Sequence, residues 1–202
     1  MGRYAWVGAR IAALPRRGAG ARAGYLIVKI RAVPRHFAEY YTCMISVYIE
    51  TSFFSVCVTT RKDPQSLVWR ETSLRWWNAH RRRFNLCISD EVIAELSAPG
   101  FDRGQEAIQM LRGLRTMELS PEVQGLANLL VREKVMPGPS VSGDAVHVAA
   151  ATVHCMDYLL SWNVKHLANI NKRAHLAKIC LRLGLAPPQI VTPDLLWENA
   201  ND

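Results

Sequence analysis

Ile45-Ser46-Val47-Tyr48-Ile49-Glu50-Thr51-Ser52 is the stretch on which the fold turns. Mostly β-branched and aromatic residues lead to an acid, and two hydroxyl residues follow it. Side chains of the first kind fit a pleated, buried surface, so the run predicts a strand ending in a polar loop. On its N-terminal side the composition changes. Residues 1–43 are rich in Ala, Arg and Gly, with Leu14-Pro15-Arg16-Arg17 and Gly18-Ala19-Gly20-Ala21-Arg22 suiting neither a helix face nor a strand. A basic, poorly ordered extension is expected there, followed by one globular domain over 44–202. A start assigned too early, with Met44 as the true first residue, is favoured over a transit peptide or a nucleic-acid-binding tail.

On the C-terminal side the signals alternate. Gln65 to His80 carries Leu67, Trp69, Leu74, Trp76 and Trp77 among polar residues and reads as an amphipathic helix. Asn85 to Ile88 is a short strand, and Ser89 with Asp90 and Glu91 begins a helix whose positive end favours those acids. Asp102 and Gln105 are placed as a capping box for a helix to Leu114. Thr116 to Leu119 is a third strand, and Ser120-Pro121 opens a helix to Lys134. After Met136-Pro137-Gly138-Pro139, Ser142 is expected to cap a small-residue helix from Gly143 to His154. Tyr158 to Ser161 is a fourth strand, Lys172 to Leu183 a helix stopped by Gly184, and Gln189 to Val191 a fifth strand before a helix from Pro193. Strands alternating with helices predict the α/β class, with a parallel sheet covered on both faces.

Charge and cysteine usage narrow the function. The chain has a formal charge of +8, yet eight of its basic residues stand before Met44 against Glu39 alone, so the globular part is nearly neutral. RNA affinity would then come from local patches such as Arg81-Arg82-Arg83, with Lys165 and Lys172, although a solvated face explains these equally well. Cys43, Cys57, Cys87, Cys155 and Cys180 contain no Cys-x-x-Cys pair and read as free thiols of a reducing cytoplasm. No apolar run approaches the ~20 residues of a membrane span. His154, His166 and His175 lack zinc-site spacing with these cysteines.

In such a sheet the functional crevice lies at the carboxyl ends of the strands. Glu50 closes the first strand, Glu95 lies on the helix after the second, Asp144 near the start of the helix before the fourth, and Asn163 just after the fourth. Three converging carboxylates would raise one another's pKa unless a cation neutralised them. Mg²⁺ or Mn²⁺ suits such a set, because hard ions take carboxylate oxygen and keep several waters. Each acid alone is commonly a solvated charge; the joint pattern carries the case.

Val47 to Ser52, Ser89 to Leu96, Asp144-Ala145-Val146-His147-Val148-Ala149-Ala150 and Asp157 to Asn163 resemble, in order, the signatures of the PIN-domain family. Within it the likeness is to the VapC-type toxins of bacterial toxin and antitoxin pairs. The resemblance implies a three-layer α/β/α domain with a five-stranded parallel sheet and a Mg²⁺- or Mn²⁺-dependent ribonuclease. It also implies a homodimer held inactive by an antitoxin. By motif position Glu50, Glu95 and Asp144 would bind metal, and Asn163 would replace the family's fourth acid, ligating through its carbonyl or through water. Ser52 and Ser161 would lie beside the site. Two departures stand out. Glu50 occupies a position where the family usually has Asp, so metal or backbone must shift to keep a ligand distance near ~2.1 Å. Asn163 is neutral and cannot act as a base. Asp157 is a substitute acid only from the wrong end of its strand.

His147 follows Asp144 by about one helical turn, so it would orient that carboxylate or touch substrate; a packed histidine is the favoured reading. Trp69, Trp76 and Trp77 offer stacking surfaces for unpaired bases, though core or dimer contacts are favoured. Two rivals to the nuclease remain: a catalytically impaired PIN-like module that binds RNA or protein, and an interaction module whose Trp-rich helix docks a partner.

Overall fold

Val47, Tyr48 and Ile49 are all fully buried, so both faces of their strand are covered. This strand, β1 (Ser46–Ile49), is the middle of the sheet. The computed structural model describes residues 44–163, 167 and 170–199. The expected extension over 1–43, Lys165 and His166 lie outside the described residues. Among those described, β1 is joined by β2 (Asn85–Ser89), β3 (Arg115–Met117), β4 (Tyr158–Leu160) and β5 (Gln189–Val191). The sheet order is β3-β2-β1-β4-β5, and every pairing is parallel. Register places Tyr48 between Cys87 and Leu159.

Side chains alternate along a strand. Tyr48 reaches His147 on one face, so Val47 and Ile49 point to the other. The helices are α1 (Thr51–Val58), α2 (Pro64–His80), α3 (Asp90–Leu96), α4 (Gly104–Met110), α5 (Pro121–Arg132), α6 (Asp144–Val153), α7 (Ile170–Arg182) and α8 (Pro193–Asn199). Helix α5 buries Val123, Leu126, Ala127 and Leu130 and packs on α6. Every residue of α6 from Ala145 to Thr152 is buried, which its run of Ala and Val permits at close approach.

The sequence reads as a loop after Glu50, yet α1 begins at once with Thr51. Its β-branched and aromatic residues are weak helix formers, and packing overrides that preference. Phe53 makes edge or tilted contacts with Phe54, Trp76 and Trp77, and Phe54 meets Trp77 edge-on. Trp76 and Trp77 are thus core residues, as favoured. Trp69 is half-buried and stacks on Trp162 with ring centroids 4.9 Å apart.

Helix starts depart from expectation in three places. Asp63, unmarked by the sequence reading, caps α2 by accepting from Ser66 N at 2.9 Å, with Pro64 first in the helix. The Asp102 capping box does not form: Arg103, in the left-handed region, is the N-cap of α4, and Asp102 accepts instead from Thr60. Gly143, not Ser142, caps α6, with φ +76° and ψ −149°. That conformation is essentially confined to glycine.

Candidate metal centre

The sheet order reverses at β1, whose neighbours β2 and β4 lead in opposite directions, so the crevice opens beyond the carboxyl ends of β1 and β4. Glu50 is the residue immediately after β1 and the N-cap of α1. Its backbone N–H continues the ladder to Leu160 O at 3.1 Å, which fixes where the side chain starts. Glu50 as a whole is 5% exposed. Its Oε2 accepts from Ser52 Oγ at 2.5 Å and Ser161 Oγ at 2.7 Å. Ser52 Oγ in turn accepts from Trp162 N, and Ser161 Oγ from Asn163 N, each at 2.8 Å. A hydroxyl has one hydrogen, and both are spent on Glu50. Ser52 and Ser161 therefore orient Glu50 and tie the β4 loop to it.

Glu95 Oε2 accepts from Thr51 Oγ1 and, at 3.0 Å, pairs with His147 Nε2. Burial pushes the Glu95 carboxyl up, but hydrogen bonds from His147 and Thr51 and the imidazole charge outweigh it and hold the group below its ordinary value. For His147 burial acts downward, and the bond to Glu95 with the charges of Glu50, Glu95 and Glu91 outweighs it, so its pKa is raised. Crowded carboxylates were expected to rise without a cation; for Glu95 the protein's own donors prevent that.

His147 is fully buried, and its Nδ1 meets Tyr48 Oη at 2.8 Å. Tyr48 Oη also meets Ser89 Oγ at 2.7 Å. With Nε2–H directed at Glu95, Nδ1 accepts from Tyr48 when the imidazole is neutral and donates to it when the ring is protonated, so the relay with Ser89 under the site is satisfied in either state. His147 therefore orients Glu95, not Asp144, and full burial keeps it from substrate. Burial also drives the Tyr48 phenol well above its ordinary range, so it stays protonated.

Ligand atoms of Glu50, Glu95 and His147 lie within 4.8 Å of one another. Asp144 falls outside that group and accepts at Oδ1 from Asn163 Nδ2 at 2.8 Å. Asn163 thus presents its amide nitrogen to the acid, where a carbonyl toward metal was expected. The hydrogen bonds on Glu50 and Glu95 fall on Oε2 of each, which leaves Oε1 of each to a cation. Both donors are hard oxygens, so the residues fit Mg²⁺ or Mn²⁺. His147 stands behind Glu95 with both ring nitrogens engaged, an outer partner and not a ligand. Asp157 caps the opposite end of the sheet, accepting from Ser46 N at 2.8 Å and Ser46 Oγ at 2.7 Å.

Sequence patterns do not single out Tyr48, Thr51 or Glu91 for the site. Glu91 is buried and accepts from Gly143 N at 2.6 Å. Its spacing of one turn from Glu95 was the available signal.

Five parallel strands flanked by helices, with acids gathered at their carboxyl ends, are the architecture that the motifs imply. The fold is PIN-like. No family model and no curated protein matches the chain. Two solved structures similar to this PIN-like chain are VapC20 of Mycobacterium tuberculosis, a sarcin-ricin-loop-cleaving toxin, and VapBC2 of Rickettsia felis, bound to a DNA fragment from its promoter. The first is 17% identical with a TM-score of 0.45, covering 59% of this chain and 91% of that one. The second is 14% identical with a TM-score of 0.45, covering 73% and 98%. Among the described residues no helix is long and apolar enough to cross a membrane.

Proposed function

We propose that this chain is a divalent-metal-dependent endoribonuclease hydrolysing RNA phosphodiester bonds. The observation that carries the reading is the approach of the Glu50 and Glu95 carboxylates to within 4.8 Å at the reversal point of the sheet. Glu50, Glu95 and Asp144 hold Mg²⁺ or Mn²⁺, and Asn163 sets Asp144 by its amide. A bound ion supplies acidified water as nucleophile and offsets charge on the phosphoryl oxygens. The chain's own part is orientation. Ser52 and Ser161 fix Glu50, Thr51 and His147 fix Glu95, and Tyr48 keeps the imidazole in place. The motif resemblance extends the proposal to a cytoplasmic homodimer restrained by an antitoxin. Full-length protein should cut RNA with Mg²⁺ or Mn²⁺ and stop on addition of EDTA. Unchanged cutting by Asp144→Ala overturns the reading.

The Asn163 amide on Asp144 favours a second reading, a PIN-like module that binds RNA or protein without turnover. It predicts RNA retention in a filter-binding assay with no cleavage at any Mn²⁺ concentration.

A further inference from the structure

Glu91 is a buried carboxylate, 7% exposed, that the metal site described above leaves without a role. It precedes Glu95 by one turn on α3, so the two share a helix face. Like charges at that spacing repel, and each therefore needs a partner. Both partners lie on α6 and its cap. Glu91 Oε1 accepts from Gly143 N at 2.6 Å, and Glu95 Oε2 meets His147 Nε2 at 3.0 Å. Gly143 and His147 have the same spacing as Glu91 and Glu95, so two rungs join α3 to α6, four residues or ~6 Å apart on each. The first rung falls on the residue just before Asp144. A Cβ on Gly143 would stand 3.9 Å from Glu95 Oε1, so this glycine lies beside both acids. Its positive φ leaves the backbone conformation to be held by contacts, and a side-chain oxygen that reaches its N–H is such a contact.

We propose that Glu91 is a positioning residue: by holding Gly143 it sets where Asp144 stands relative to Glu95. The role belongs to the reach of the side chain, not to its charge, and it rests on the metal-site reading above.

Two variants separate reach from charge. Glu91→Gln keeps an acceptor oxygen at the same reach and loses the charge. Glu91→Asp keeps the charge and withdraws the acceptor by one methylene. Full-length wild type, both variants and Glu95→Gln are compared by Mn²⁺ calorimetry and by NMR amide exchange at Gly143 without metal. Glu91→Gln should protect the Gly143 amide and bind Mn²⁺ within about 3-fold of wild type, whereas Glu91→Asp should expose it and bind roughly 10-fold weaker, as loss of an outer partner of a ligand does. The opposite ranking, or equal effects, overturns the proposal. So does rapid exchange at Gly143 in wild type. Mn²⁺ binding untouched by Glu95→Gln overturns the metal reading and the positioning role with it; that failure is recognised by a Gly143 amide that still responds to Glu91.

Discussion

The two halves of the site are built differently. On one side Glu50 and Glu95 each receive two donors, from hydroxyls and a fully buried imidazole, and their geometry is set before any ion arrives. On the other side Asp144 and Asn163 are half-buried, and an amide touches the carboxylate that an acid would have repelled. The glutamate side is preorganised, which spends folding energy on ligand placement. The Asp144 side has exchanged charge for neutrality. Metal affinity should then depend steeply on the first half and be tunable through the second.

The largest effect tests the steep half. Glu95→Ala should weaken Mn²⁺ binding by roughly 100-fold or more, exceeding the loss from an outer partner, with RNA cleavage falling alongside; calorimetry and a gel assay on the same samples check both. Next is His147→Ala. It takes one of two partners from Glu95 and one of two from Tyr48 and opens a cavity, so stability should drop by about 3 kcal/mol in urea denaturation. An intact denaturation midpoint would break the picture of a preorganised side.

Asn163→Asp sharpens the comparison from the other half. Replacing a donor by a like charge should lower metal-free stability by about 1 kcal/mol and tighten Mn²⁺ binding about 10-fold. Calorimetry showing no gain would favour the non-catalytic reading. The smallest effect lies away from both halves, at His80 on α2, which is 4% exposed and tilted against Trp76. Burial, with the charge of Arg83, pushes its imidazole below the ordinary range. The unfolded chain therefore takes up the proton first, and stability is lost as pH falls below about 6.5 toward the folded value. Thermal melts between neutral and mildly acidic pH should show this slope in wild type and a flatter one in His80→Phe.

How far the sequence foretold this depends on the range of the forces involved. The run from Ser46 to Ile49 and the strand from Gln189 to Val191 were legible because their β-branched and aromatic content and the polar residues that bound them are local signals. Helix α1 was not, because Thr51 to Val58 is held by rings of Trp76 and Trp77 that no window around Glu50 contains. Asp102 looked like a cap, yet Arg103 takes the left-handed conformation and shifts the helix start. At the site, Glu50 and Glu95 stood out by motif order. The motifs also marked Ser52 and Ser161, whereas Thr51 is an ordinary residue until the sheet brings it close to Glu95, and Tyr48 becomes a relay only once α6 lies across β1.

One consequence follows from the two serine hydroxyls on Glu50. Each has a single hydrogen, and both converge on one oxygen that stands a methylene farther out than aspartate would place it. The length at this position is thus coupled to its two companions, and trading Glu50 for aspartate would draw the shared acceptor away from both hydroxyls. Anyone transplanting this corner of the site into another chain would have to move Glu50, Ser52 and the distant Ser161 as a single block.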